Sequence, residues 1–321
     1  MAPARGRLDP AVADARLAVT GAIDDLEPGA RVAVAVSGGA DSLALAAAAA
    51  FVGRDGRLVL EAVVVDHGLQ DGSAAVAHRA AAQVESLGVP ARVVTVDVGT
   101  SGGTEAAARH ARYAVLDALE VEAVLLGHTL DDQAETVLLG LGRGSGPRSL
   151  AGMAPVAGRY RRPFLGLRRA DTEQVCRALG LDPWDDPHNA DPRFRRVRVR
   201  HEVLPLLEDV LGGGVAEALA RTASLARADA DVLDALAVER VPDPLDVTVL
   251  AAQPDALRSR ALRRAALEAG ADGGRLSAAH VAALDALVTG WRGQVRVELP
   301  GQVAAVREGT RLRFVATPVA R

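Results

Sequence analysis

Four short apolar runs, residues 31–36, 58–65, 92–96 and 123–126, follow an N-terminal helix and alternate with longer alanine-rich stretches of helical character. Strand and helix in regular alternation leave few options. Successive crossovers bring the strands into parallel register, and the helices cover the sheet. The expected fold is α/β, a doubly wound, mostly parallel, Rossmann-like sheet. Such sheets bind ligands at the carboxyl ends of their strands. Those ends are polar here, carrying Ser37, then Asp66 and His67, then Asp97, then Gly127 and His128.

From about residue 205 the pattern becomes helix only, interrupted by Gly212, Gly213 and Gly214, and a new apolar pattern starts at Pro242. Three parts are expected: a sheet domain over 1–205, a helical connector over 206–241 and a small α+β C-terminal domain over 242–321. The last should hold helices near 254–269 and 277–288 and short strands near 294–299, 302–306 and 311–316. At 321 residues, about two domains with cores of their own are expected.

Composition narrows the chemistry. The chain has no lysine, so its 37 basic side chains are all arginines. Schiff-base catalysis, a covalent lysyl-nucleotide and a Walker-type phosphate lysine are therefore excluded. Cys176 is the only cysteine, too few for an internal disulfide, a multi-thiolate zinc site or a two-cysteine sulfur-transfer centre. The longest apolar run, residues 43–52, is too short to span a bilayer, and no basic start precedes an apolar signal core. A cytoplasmic protein with no membrane partner is expected. With a net charge of −4, any nucleic-acid contact must be a local patch. Arginine does cluster, at 159, 161, 162, 168 and 169 and again at 193, 195, 196, 198 and 200.

The strongest local signal is the apolar run ending in Val36, which continues through Ser37, Gly38, Gly39, Ala40, Asp41 and Ser42 into a helix. Glycines let backbone N–H groups approach a phosphate, the helix start adds positive potential, and the serines add hydroxyls. A carboxylate at Asp41 would repel phosphate unless a cation lay between them, which points to Mg²⁺. The bland alternative is a glycine turn with a helix cap.

A second strand end, Gly127-His128-Thr129-Leu130-Asp131-Asp132-Gln133-Ala134-Glu135-Thr136, also enters a helix. Thr129 and Asp132 suit a capping box, which could by itself explain the aspartates. Glu135 shares a helix face with them and extends an acidic patch able to hold Mg²⁺ or an ammonium group. On the preceding helix, Arg109 and Arg112 lie three apart on one face, suited to gripping phosphates.

The Ser-Gly-Gly-x-Asp-Ser segment matches the PP-loop of ATP pyrophosphatases, and the chain resembles one family among them, the tRNA(Ile)-lysidine synthases. The resemblance runs through nearly all of the first two hundred residues and more loosely to the end, and is to short members with one C-terminal domain. It covers Ser37 to Ser42, Val65-Asp66-His67-Gly68-Leu69, Glu105 to Tyr113 and Gly127 to Thr136. It continues through Arg143-Gly144-Ser145-Gly146, Leu150-Ala151-Gly152-Met153, Arg162-Pro163-Phe164-Leu165 and Asp186-Pro187-His188-Asn189. Five positions depart from the usual family residue: Asp66 stands for Asn, Gln70 for a nearby Arg, Ser149 for Gly, Val197 for Asn and Val199 for Ile.

The resemblance implies adenylation of the wobble cytidine of a CAU-anticodon tRNA(Ile) at carbon 2, then displacement of AMP by the ε-amine of free L-lysine. It implies ATP and Mg²⁺ as cofactors, with ATP held by Ser37, Gly38, Gly39, Ala40, Asp41, Ser42, Asp66, Arg109, Gly127 and His128. Catalytic roles fall to Asp41, which would hold Mg²⁺, and to Arg112, Asp132 and Glu135. RNA contacts fall to Arg143, Arg196, Arg198 and Arg200. The last three alternate with valine like one side of an extended segment. A homodimer is compatible with the sequence. The competing readings are a tRNA thiolase, opposed by the solitary Cys176, an amidating PP-loop synthetase, and an ATP-binding sensor without catalysis.

Overall fold

The computed structural model describes residues 8–68, 70, 72–97, 104–144, 146–293 and 296–317. Leu69 and Ser145, both in motifs noted above, lie outside them, as do residues 294 and 295 at the start of an expected strand. The first part of the chain runs α1 (Pro10–Ala22), β1 (Ala30–Val36), α2 (Ala40–Val52), β2 (Leu58–Asp66), α3 (Ser73–Ser86), β3 (Ala91–Thr95), α4 (Thr104–Asp117), β4 (Ala123–Leu126) and α5 (Leu130–Gly142). There follow α6 (Pro147–Leu150), β5 (Val156–Ala157), β6 (Tyr160–Arg161), α7 (Arg169–Leu179), α8 (Arg195–Arg198), a π-type turn (Val199–Val203), α9 (Leu204–Leu211) and α10 (Val215–Arg240). The chain ends with α11 (Val247–Ala251), α12 (Asp255–Glu268), α13 (Ala278–Thr289), β7 (Val297–Leu299), β8 (Val303–Glu308) and β9 (Arg311–Ala316).

The large sheet has the order β3-β2-β1-β4-β6-β5, parallel except for the antiparallel β5–β6 pair at the edge. The strand order reverses between β1 and β4, so the crevice at their carboxyl ends is where a doubly wound sheet takes its ligand. Alternation along β1 splits its side chains between two cores. Val32, Val34 and Val36 pack with α1, α2 and α3, while Ala33 faces Leu116 and Leu119 near the end of α4 on the other side. The four expected long strands and the N-terminal helix are all present; the two-residue strands β5 and β6 were too short to show periodicity.

By its internal contacts the chain divides into two compact units, 1–135 with 153–220, and 136–152 with 221–321. In the second unit Leu250, Leu262, Leu284, Leu287 and Leu312 centre a separate core, between α11, α12 and α13 and the antiparallel sheet β7-β8-β9.

Residues 196–200 correct an expectation. They form not an extended segment but a helical turn, α8 passing into the π-type turn, so the three arginines do not share the face of a strand.

Candidate active site

A cleft of about 880 Å³ opens at the carboxyl ends of β1, β2 and β4, within the first unit. Its floor is the turn from β1 into α2. Gly38 has φ +89°, a left-handed conformation that a side chain would strain. The Ser42 hydroxyl accepts from Ser37 N–H at 3.1 Å and donates to the Gly39 carbonyl at 3.0 Å, pinning the loop into a ring. The first-turn N–H groups of α2 then lack helical partners and are free to bind an anion placed at the helix start. Gly127, at the end of β4, is the second tight point. A Cβ there would lie 3.0 Å from the backbone carbon and oxygen of Asp41, so only glycine lets the strand end meet the loop.

Asp41 lines this cleft. Its Oδ1 accepts from the Thr172 hydroxyl at 2.5 Å, and Arg169 Nε lies 3.5 Å from its Oδ2. Burial pushes its carboxyl up to about 6, against the opposing pull of the Thr172 hydrogen bond and Arg169. No group of three metal-ligating side chains occurs among the described residues. A magnesium ion would instead use the Asp41 carboxylate together with nucleotide phosphates, the usual arrangement for that ion.

Asp132 and Glu135 project from α5, but not as a solvated acidic patch. Both are buried, Glu135 completely, and three arginines surround them. Arg196 Nε donates to Glu135 Oε2 at 2.6 Å and Arg200 Nε to Glu135 Oε1 at 2.7 Å. Arg169, Arg196 and Arg200 each reach Asp132 Oδ1, at 3.1, 3.2 and 3.5 Å. Burial alone would raise the Asp132 carboxyl, but Arg196 and Arg169 outweigh it and hold it below the usual range. The expected capping box is also real: Thr129 N–H donates to Asp132 Oδ2 at 2.9 Å, so Asp132 caps α5 and faces the cleft together.

Of the other expected residues, Ser37, Gly39, Ala40, Ser42, Asp66 and Arg112 line the cleft, as do Gly127, His128 and Arg200. Arg109 is exposed and does not line the cleft; it lies over the Tyr113 ring at 5.0 Å, with Arg112 5.6 Å from the same ring. Arg198 is exposed and paired with Glu202 at 2.7 Å, and Arg143 is exposed in the second unit. Burial lowers the His128 imidazole to about 3, with Arg112 and Arg162 working in the same direction, so it is neutral at physiological pH and poorly suited to hold a proton.

Three residues of the site were not assigned to it from the sequence. Arg169 and Thr172, at the start of α7, reach Asp41 across more than a hundred residues, a pairing that no local pattern reveals. Trp184 donates its backbone N–H to the Gly38 carbonyl at 2.9 Å and lines the cleft. Cys176 is buried, its thiol pushed up to about 11 by burial and by Asp41.

The chain matches the PP-loop domain family over residues 14–207 and the TilS substrate binding domain family over residues 245–313. It is 57% identical to the tRNA(Ile)-lysidine synthase of Thermobifida fusca over 91% of this chain and 94% of that protein. It is 55% identical to that of Streptomyces coelicolor over 88% of this chain and 84% of that one. For the Mycobacterium tuberculosis protein of the same name the figures are 54%, 87% and 89%. Among solved structures, the U34-tRNA thiolase NcsA from Methanococcus maripaludis superposes with a TM-score of 0.57 at 18% identity, covering 68% of this chain and 80% of that one, a likeness of fold.

Proposed function

Because this chain belongs to the tRNA(Ile)-lysidine synthases, a family of PP-loop enzymes, we propose that its cleft adenylates the wobble cytidine of a CAU-anticodon tRNA(Ile) at carbon 2 and then joins free L-lysine to that carbon. The reaction is a ligation: a C–N bond forms, and ATP becomes AMP and pyrophosphate. The observation that carries the assignment of roles is that the PP-loop, Asp41 and Asp132 open onto one cleft.

In this reading the α2 N-terminus and the Ser37–Ser42 ring hold the β and γ phosphates as they depart. Bound at Asp41, Mg²⁺ would supply charge neutralisation for the leaving pyrophosphate. Arg112 takes the charge that builds at the α phosphate. Asp66, Gly127 and His128 border the nucleoside. Arg109, exposed beyond the cleft, is left with a solvent-side contact.

The incoming lysine presents an ε-ammonium, and Asp132 with Glu135 provides the matching charge. Those carboxylates already hold three guanidiniums, so the ammonium competes with a cation in place. Arg200 lines the cleft and is the one it displaces. Arg143 and Arg198, both exposed, are left as the phosphate contacts among the four arginines, and the module at 242–321 adds further RNA surface.

Mass spectrometry of tRNA(Ile) after incubation with ATP and isotopically labelled lysine tests the proposal. A labelled lysyl adduct with AMP and pyrophosphate released is expected. ADP as the main product, or unlabelled tRNA with ATP consumed, would overturn it.

A further inference from the structure

Eight side chains among the described residues bury a polar atom that has no hydrogen-bond partner. Three of them, Arg161, Arg168 and Arg260, answer to carboxylates through ion pairs with Asp25, Asp131 and Asp234. The other five, His67, Arg112, Tyr113, His128 and Arg162, belong to one end of the large sheet and the helix beside it. His67 follows β2 and His128 follows β4. The β4–β6 register ends at Leu125 opposite Arg161, so Arg162 stands at the same edge as Leu126 and Gly127. Arg112 and Tyr113 come from α4, which packs on this face, and Tyr113 meets Tyr160 of β6 edge-on at 5.1 Å.

Arg112 and Arg162 form no ion pair among the described residues; Arg162 donates one Nη1 hydrogen bond to the Ala154 carbonyl, and the Nε of each guanidinium is buried and unpartnered. Half-buried guanidiniums without a counter-charge keep part of their desolvation cost, and unpaired buried polar atoms in a folded protein call for an occupant. Two of the five orphans are guanidinium N–H donors with positive charge, and the other three are neutral ring or hydroxyl groups able to hydrogen-bond. The occupant that satisfies them is an anion.

We propose that Arg162, with Arg112 and His128 at the border it shares with the nucleotide cleft, forms a phosphate subsite beside that cleft, filled by a backbone phosphodiester next to the wobble cytidine of the RNA substrate. This rests on the reaction proposed above. Two sources could supply a phosphate, ATP and RNA, and position favours RNA. The PP-loop lies at the end of β1, whereas Arg162 lies at the end of β6, two strands away and so roughly 10 Å to the side. Arg112 and His128 line the nucleotide cleft while Arg162 does not, so the subsite adjoins the cleft and extends beyond it. Its neutral imidazole adds a hydrogen bond without adding charge, which suits the single negative charge of a diester.

The probes are an anticodon stem-loop RNA carrying the wobble cytidine, and the same RNA with one uncharged methylphosphonate on either side of that nucleotide. Arg162→Gln should weaken stem-loop binding roughly tenfold, the scale of one charged hydrogen bond, and leave ATP affinity without RNA within about twofold. One of the two methylphosphonates should cost wild type the same factor and cost Arg162→Gln nothing more. Arg162→Lys, with its charge kept, should recover part of the loss, and matched thermal melting of the variants separates binding from folding. Loss of ATP affinity with RNA binding intact would give the phosphate to the nucleotide and overturn the proposal. Unchanged RNA binding, or equal loss for charged and uncharged linkages, would make Arg162 purely structural. Wild-type protein that distinguishes the linkages yet makes no AMP would count against the reaction while leaving the subsite standing.

Discussion

Arg196 Nε lies 2.6 Å from Oε2 of Glu135, a carboxylate with no solvent exposure. An arginine expected to meet RNA is thus an internal counter-ion, and its loss acts first on the fold. Breaking a buried pair by removing one partner costs about 3 kcal/mol, here moderated by Arg200 and Arg169 on the same carboxylates. Arg196→Ala is expected to lower the urea midpoint clearly. Arg198→Ala, which opens only an exposed pair with Glu202, should melt like wild type and reduce only the salt dependence of tRNA binding. Equal destabilisation by the two would contradict the buried network.

Glu135→Gln keeps the shape of the side chain but removes the charge that Arg196 and Arg200 share. Lysine use should suffer more than adenylation, read as a raised KM for lysine with the rate of AMP formation on tRNA less affected. A parallel loss in both steps would place Glu135 in the machinery common to them.

Asp41→Asn should separate stability from activity. The folded carboxyl is raised to about 6 by burial, above its ordinary 3.8, so its contribution to stability is full below pH about 4 and is lost as pH rises through 6. Above pH 6 the amide avoids burying that charge and should unfold at equal or higher temperature, a gain on the order of 1–2 kcal/mol tempered by the weakened Thr172 contact. Adenylation should be abolished. A variant that unfolds early would show that Asp41 serves mainly as part of the α2 cap.

Cys176→Ser should retain ATP turnover and lysine transfer, since neither step needs a thiol. In the native protein this buried thiol, pushed up to about 11, should react with iodoacetamide far more slowly at pH 8 than in urea. A folded variant without activity would contradict the sulfur-independent chemistry.

Gly127→Ala tests the meeting of β4 with the PP-loop. The added methyl would meet Asp41 backbone atoms at 3.0 Å, which cannot swing aside as a side chain can. A loss of about 1–3 kcal/mol is expected, with ATP binding weakened more than the melting point suggests. Normal ATP binding would show that the loop has slack.

The PP-loop and the strand leading into it were legible because their signals are local: an unbroken apolar run, a glycine pair and a following helix all fall within a dozen residues or so. The charge network was not legible, for two reasons. Arg169 and Thr172 act on Asp41 through the packing of α7 on α2, which no spacing reveals. Arg196 and Arg200 are both two apart from Arg198 and four apart from each other, so one pattern serves a strand face or a helix face. The carboxylates that decide between them sit more than sixty residues earlier in sequence.

Arg169 touches Asp41 on the PP-loop side and Asp132 and Glu135 on the α5 side, and its own proton affinity rises because Asp132 and Asp41 outweigh its burial. A single guanidinium therefore serves two cation-attracting centres. Any cation that settles at one frees Arg169 to lean on the other, so the two affinities are tied by thermodynamic reciprocity. By whatever factor occupancy at Asp41 weakens ammonium binding on α5, ammonium on α5 weakens cation binding at Asp41 by the same factor. The two half-reactions thus share one ledger of positive charge, which favours taking them in turn.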